Sequence, residues 1–236
     1  MRSYASAQLV GDRSHQCDAV ATRATADGGR AYALLDGIGS NDEVRAWTRM
    51  RARRLAVLTA RTLQPHEAIS RVQDEVVTER ALDADGEVEG ACAVIAVTGP
   101  DALLRVAWIG DCRAYLLDAS GRLTRLTTDH NERAVIEALG GVAPRWARNY
   151  VTRCLGAEAG GDALFPEWTA VHDRTGARLL LASDGCYEPI EDAGRDLAHE
   201  LDRRLGPADC ANHLVRLAIS LGGAHRDNAT CLVADL

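Results

Sequence analysis

Two apolar runs of strand length, AYALL at 31–35 and ARLLLAS at 177–183, each stop on Asp-Gly, at Asp36-Gly37 and Asp184-Gly185. A buried strand that ends on a carboxylate sets a negative charge at the edge of a sheet. The glycine after it lets the backbone approach whatever that charge binds. Asp-Gly occurs at two further places, Asp27-Gly28 and Asp85-Gly86, but both lie among polar residues and read as turns. The pair that follows apolar strands reads as two arms of one site.

The surrounding sequence gives these strands neighbours. Residues 3–10 read as a strand, 18–25 as a second, and Ala26-Asp27-Gly28-Gly29 turns the chain into AYALL, which makes a three-strand meander. Helical spacing of Val44, Trp47, Met50, Leu55 and Leu58 predicts a helix over 42–62. A second helix is expected over 65–81, opened by Pro65. A polar link, LDADGEVEG, leads to strands at 91–98, 102–109, 112–118 and 122–126, with turns at Gly99-Pro100-Asp101 and Ala119-Ser120-Gly121. A short helix is expected over 131–139, strands at 151–156, 165–171 and 177–183, helices at 192–204 and 207–221, and a last strand over 229–235. Runs of strands interrupted by helix pairs predict an α+β layered domain, with residues 1–236 as one unit.

Composition excludes several classes. Hydrophobic residues at 47% rule out a disordered chain, and a net charge of −7 opposes general nucleic-acid binding. No apolar run approaches membrane-spanning length, and the N-terminus lacks an apolar signal core, so a cytoplasmic protein with no membrane partner is expected. The seven cysteines form no CxxC pair, which argues against structural zinc and for a reducing compartment. All 27 basic residues are arginine, so there is no lysine for a phosphate loop, a kinase strand or a Schiff base.

Five aspartates sit where strands start or stop: Asp18, Asp36, Asp111, Asp184 and Asp227. Converging carboxylates repel unless cations or protons neutralise them. An all-oxygen cluster suits magnesium or manganese, and two such ions can activate a water. Arg13 offers an always-charged planar fork for a phosphate oxyanion.

The strings RSHQCDAV (13–20), LLDGIGS (34–40), GACAVIAV (90–97), AWIGDCRAYLL (107–117), LTTDHN (126–131), VTRCLG (151–156), LLLASDG (179–185) and RDNATCLV (226–233) follow one another in order. Together they resemble the metal-dependent serine/threonine protein phosphatases, the PPM or type-2C family, in its bacterial form. The resemblance implies a four-layer α-β-β-α sandwich, two antiparallel sheets flanked by helix pairs, with two manganese or magnesium ions at one end. By that resemblance Asp36 bridges the ions, Asp184 and Asp227 bind the first, and the Gly37 carbonyl helps hold the second. Asp18 acts mainly through metal-bound water, and Asp111 with Asp184 serves a third, weaker ion. Arg13 grips the substrate phosphate, and a metal-bridging hydroxide attacks phosphorus directly. The substrate would be a phosphorylated protein, such as the product of a Ser/Thr kinase, and the enzyme a monomer.

Two positions depart from the family pattern. Cys17 stands where a glutamate usually ligates the second ion, and Ile38 where many members carry a histidine proposed as general acid. His15 and His130 are the candidates left for that role. Cys17 is a candidate redox group or atypical ligand; Cys17, Cys112 and Cys186 read otherwise as small apolar fillers. The two departures also admit a different class, a pseudo-phosphatase that binds a phosphoprotein or regulatory partner without turnover. Arg45, Arg49, Arg51, Arg53, Arg54 and Arg61 read as a solvated helix face or as a dock for an acidic partner.

Overall fold

The AYALL run is apolar throughout because its strand has no solvent face. Tyr32 and Leu34 point into the space between two sheets, while Ala33 and Leu35 pack beneath two helices. LLLA at 179–182 repeats the arrangement: Leu179 and Leu181 enter the same inter-sheet core, and Leu180 and Ala182 face a second pair of helices. Strands buried on both faces read as continuous apolar runs, and this places four layers around three cores.

A computed structural model describes residues 3–82, 89–157, 165–172 and 174–236. One sheet runs in the order β1 (Tyr4–Leu9), β10 (Ala229–Asp235), β9 (Arg178–Ala182), β6 (Arg113–Leu117), β7 (Leu123–Arg125). The other runs β2 (Ala19–Ala24), β3 (Arg30–Ile38), β4 (Gly90–Thr98), β5 (Leu104–Ile109), β8 (Glu167–Val171). Every pairing is antiparallel. Helices α1 (Asp42–Thr62) and α2 (Pro65–Leu82) cover the second sheet, and α4 (Asp184–Asp192) and α6 (Pro207–Leu221) cover the first. Short helices α3 (Glu132–Ala138) and α5 (Leu197–Glu200) and a 3₁₀ turn over Arg145–Asn149 complete the described set. The expected α+β sandwich is the observed one.

Local chemistry sets the α1–α2 hairpin. The Asn41 side chain accepts from Val44 N at 2.8 Å, and Asp42 and Glu43 occupy the first turn, where the helix dipole favours negative charge. Leu63 ends α1 in the left-handed region at φ 57°, and Pro65 opens α2. The arginines of α1 are partly committed to these helices: Arg54 pairs with Glu75 at 2.5 Å, Arg45 with Asp42 at 2.6 Å, and the buried Arg51 with Glu79. Among the described residues this leaves Arg49, Arg53 and Arg61, half of the six arginines, without an ion pair.

Three expectations need correction. β1 is not part of a meander with β2 and β3; it pairs with β10 in the other sheet, and the polar stretch 10–18 carries the chain across. Residues 151–156 form no strand, only isolated bridges from Val151 to Asn131 and from Leu155 to Ala91. The helix expected at 192–204 is instead α4, which starts directly on Asp184 and stops before Gly194 at φ 67°, followed by the single turn of α5 capped by Asp196. The Asp27-Gly28 turn is present, closed by Thr25 N donating to Gly29 O at 3.0 Å; Asp85-Gly86 lies outside the described residues.

Gly110 joins β5 to Asp111 at φ 101°, and a Cβ there would lie 2.4 Å from Cys92 Sγ and 2.8 Å from Cys92 Cα. Both the backbone region and the space exclude a side chain. Gly110→Ala is expected to cost about 3 kcal/mol or more in unfolding free energy. Urea unfolding of the variant checks this, and a midpoint equal to that of the unmodified chain would contradict it.

Candidate metal centre

Strand register carries the five aspartates to one end of the sandwich. Leu35 pairs with Ala19, Asp36 with Cys92, and Ala93 with Ile109, so the end of β3, the start of β2 and the end of β5 lie together. In the other sheet Leu9 pairs with Ala229, and Ala182 with Cys231 and Arg113. Asp36, Asp111, Asp184 and Asp227 then line a single cleft of about 980 Å³, with Arg13 and Gly37. Asp18 sits behind that surface at 2% exposure, with Asp36 next to it.

The local folds that hold these groups differ. Asp184 is the first residue of α4, where the helix dipole favours a carboxylate, and Gly185 N donates to its Oδ1 at 2.5 Å. Asn228 N donates to Asp227 Oδ1 at 2.7 Å, and Arg13 Nη2 lies 2.5 Å from Asp227 Oδ2 with its side chain about half exposed. Gly37 lies against α1 and the β1–β2 connection: a Cβ there would stand 2.6 Å from Thr48 Oγ1 and 2.8 Å from Cys17 O.

Burial and mutual repulsion dominate the electrostatics. Burial, then the charge of Asp184, pushes Asp18 and Asp111 up to about 7. Burial pushes Asp36 well above the ordinary carboxylate range, and Asp18, Asp184 and Asp111 add to the rise. Asp184 rises through burial and the neighbouring Asp227. Such a cluster requires protons or cations. Among the described residues, no three His, Cys, Asp or Glu side chains are already closed around one point. The donor chemistry nevertheless suits hard divalent ions: it is all oxygen, and Asp18 Oδ1 is buried without a hydrogen-bond partner.

Cys17 does not share this environment. Its side chain is 1% exposed and off the cleft wall, its Sγ donates to Asn41 O at 3.6 Å, and burial pushes the thiol up. The thiol thus lies buried beside Asn41 and outside the cleft lining. The two candidate histidines also lie off the cleft. His130 is buried, with Nδ1 accepting from Gly110 N at 3.1 Å and Nε2 3.2 Å from Glu167. His15 bonds Ser14 through Nδ1 at 2.9 Å.

Several contributors are not evident from sequence spacing. Asn228 accepts from Cys17 N at 2.7 Å and donates to Val10 O at 2.9 Å and His15 O at 3.0 Å, which staples the Arg13 loop to β10. Ser183 Oγ donates to Asp18 Oδ2 at 3.0 Å and accepts from Thr230 N at 3.1 Å. Arg148, Tyr150 and Glu188 form a further wall of the cleft. Asn follows Asp227 and Ser precedes Asp184, so adjacency to a candidate ligand was the available signal; 140–176 carried none.

The family model described as protein phosphatase 2C matches residues 30–226. The chain is 29% identical over 216 residues to the serine/threonine protein phosphatase PstP of Mycobacterium tuberculosis, covering 89% of this chain and 41% of PstP. It is 32% identical over 195 residues to the probable protein phosphatase 2C 8 of Oryza sativa subsp. japonica, covering 71% of this chain and 47% of that protein. The chain thus spans less than half the length of these curated relatives. The crystal structure of the M. tuberculosis serine/threonine phosphatase PstP/Ppp superposes with a TM-score of 0.81 at 28% identity, over 99% of this chain and 97% of that one. The catalytic domain of PstP, solved in complex with two manganese ions, gives 0.75 at 27% identity over 98% and 96%.

Proposed function

Because this chain belongs to the protein phosphatase 2C family, we propose that it hydrolyses phosphoserine and phosphothreonine in proteins with the help of manganese or magnesium ions. One observation carries the reading: Asp36, Asp111, Asp184, Asp227 and Arg13 line the same cleft. In this proposal Asp36, Asp184, Asp227 and the Gly37 carbonyl hold two ions, Asp111 with Asp184 serves a third, and Asp18 supports them from behind through water. The ions, when bound, would neutralise the carboxylates and lower the pKa of a water for attack on phosphorus. Arg13 binds the phosphate oxygens through its guanidinium fork, and Asp227 keeps that fork at the cleft wall. Ser183 and Asn228 keep Asp18 and the Arg13 loop in register with the ligands.

The substrate class is a phosphoprotein made by a Ser/Thr kinase, and the chain acts as a monomer in a bacterial signalling circuit. Seven free cysteines support a reducing compartment such as the cytoplasm. No described helix is long and apolar enough to cross a membrane.

The test is phosphate release from a phosphothreonine peptide across manganese and magnesium concentrations, with a chelator control. Metal-dependent release supports the proposal; binding of the peptide without release under any ion would replace it with a non-catalytic binding role. Arg13→Ala is expected to lower kcat/KM about 10- to 100-fold, since one charge-assisted contact to the phosphate is lost. Unchanged kcat/KM would remove Arg13 from the phosphate site.

A further inference from the structure

Ile38, the residue that departs from the family's histidine, is 49% exposed and lines the cleft two positions from Asp36. Tyr150 and Val151 line the same cleft, with Tyr150 57% exposed. Trp146, 56% exposed, packs edge-on against Tyr150 with ring centroids 5.5 Å apart. Ile38, Tyr150 and Val151, which line the cleft that holds the aspartates, and Trp146, packed against Tyr150, together form an apolar lip. Exposed aromatic clusters of this kind mark interaction surfaces.

The charges of this wall are already committed. Arg148 Nε lies 3.0 Å from Glu188 and its Nη2 2.9 Å from Asp192, while Arg145 Nη2 lies 2.6 Å from Asp192. The arginines thus tie the wall to α4 through ion pairs. Tyr150 and Trp146 remain exposed beside these ion pairs. A cleft of about 980 Å³ is also far larger than one phosphate requires.

We infer that the lip of Ile38, Tyr150, Val151 and Trp146 recognises an apolar side chain next to the phosphorylated residue of the substrate polypeptide. This inference rests on the phosphatase reading and names the specificity of that same cleft. Tyr150 joins the two surfaces, so one extended segment reaches the floor with its phosphate and the lip with its neighbouring residue. A leucine or similar side chain gains contact there, whereas an acidic neighbour loses hydration and meets arginines that already have partners.

The test compares phosphothreonine peptides that differ only in the flanking residues, leucine in one and serine or aspartate in the other, with free phosphothreonine as a substrate that lacks flanks. The leucine peptide is expected to show about tenfold higher kcat/KM, from burial of one apolar side chain. Trp146→Ala is expected to shrink that ratio to about twofold or less and to leave hydrolysis of free phosphothreonine unchanged; Tyr150→Ser is expected to shrink it as well. Equal rates on both peptides would overturn the inference and leave the phosphatase reading intact. No release from any of these substrates with either ion would instead overturn the phosphatase reading. A dimer in light scattering that Trp146→Ala dissolves would assign the lip to a second copy of the chain and overturn the inference.

Discussion

Asp36→Asn is expected to lower metal-dependent phosphate release by about a thousandfold or more, while raising the melting temperature of the metal-free protein. The two effects have one cause. Asp36 is the carboxylate on which the others converge: burial pushes its pKa well up, and Asp18, Asp184 and Asp111 push it further. At neutral pH the folded protein must either keep a proton on Asp36 that the unfolded chain gives up or bear its charge beside the other carboxylates; both oppose folding, and a neutral side chain of the same shape removes that cost. In the proposed centre Asp36 would be one of the residues that hold the ions, so its loss would weaken their binding. Turnover and thermal unfolding in chelator, measured on the same preparation, separate the outcomes. Near-normal turnover would sink the assignment of Asp36, and a lowered melting temperature would sink the repulsion argument.

The sequence made some elements legible because their signals are local. The helical spacing of Val44, Trp47, Met50, Leu55 and Leu58, and Pro65 at the start of the next helix, locate α1 and α2 nearly to the residue. The last strand, Ala229–Asp235, follows Asp227-Asn228 as expected, and the apolar runs ending on Asp36 and Asp184 do meet at one cleft. Sheet partners were less legible, because β1 pairs with a strand more than 200 residues away and nothing near Tyr4–Leu9 encodes that choice. Alternation says that a strand exists, not which sheet takes it.

The site shows the same division. An aspartate at a strand end is visible, but the hydrogen bonds that aim it are long-range: Ser183 to Asp18 and Asn228 to Val10 and His15 each join distant segments. α4 was hidden for a different reason. Asp184-Gly185 reads locally as a turn, and Pro189 reads as a helix breaker, yet Pro189 sits within a helix of nine residues. Burial of Cys186, Tyr187 and Ile190 against the sheet overrides that propensity. Cys17 shows the converse limit: its position in a motif suggested chemistry, while its burial off the cleft lining is visible only in the fold.

In chelator, the stability of the protein is expected to fall as pH rises from about 5 to about 8. Asp18 and Asp111 stand at about 7 against an ordinary value of 3.8. Through that window the folded state holds protons that the unfolded chain has released, so each rise in pH favours unfolding until the folded-state groups have titrated. Carboxylates that arginine partners pull downward, such as Glu75 through Arg54 and Asp192 through Arg148, lose their stabilising charge only below the window. His130, lowered by burial, has the opposite sign, but it is one group against the acidic cluster. Manganese should reverse the trend: cations compete with protons for the same oxygens, so the melting-temperature gain from added manganese should grow with pH. Thermal unfolding at several pH values, with chelator and with manganese, measures both slopes. A melting temperature that rises with pH in chelator would show that the aspartates are not held together as protonated acids. A manganese gain independent of pH would place the ion away from them.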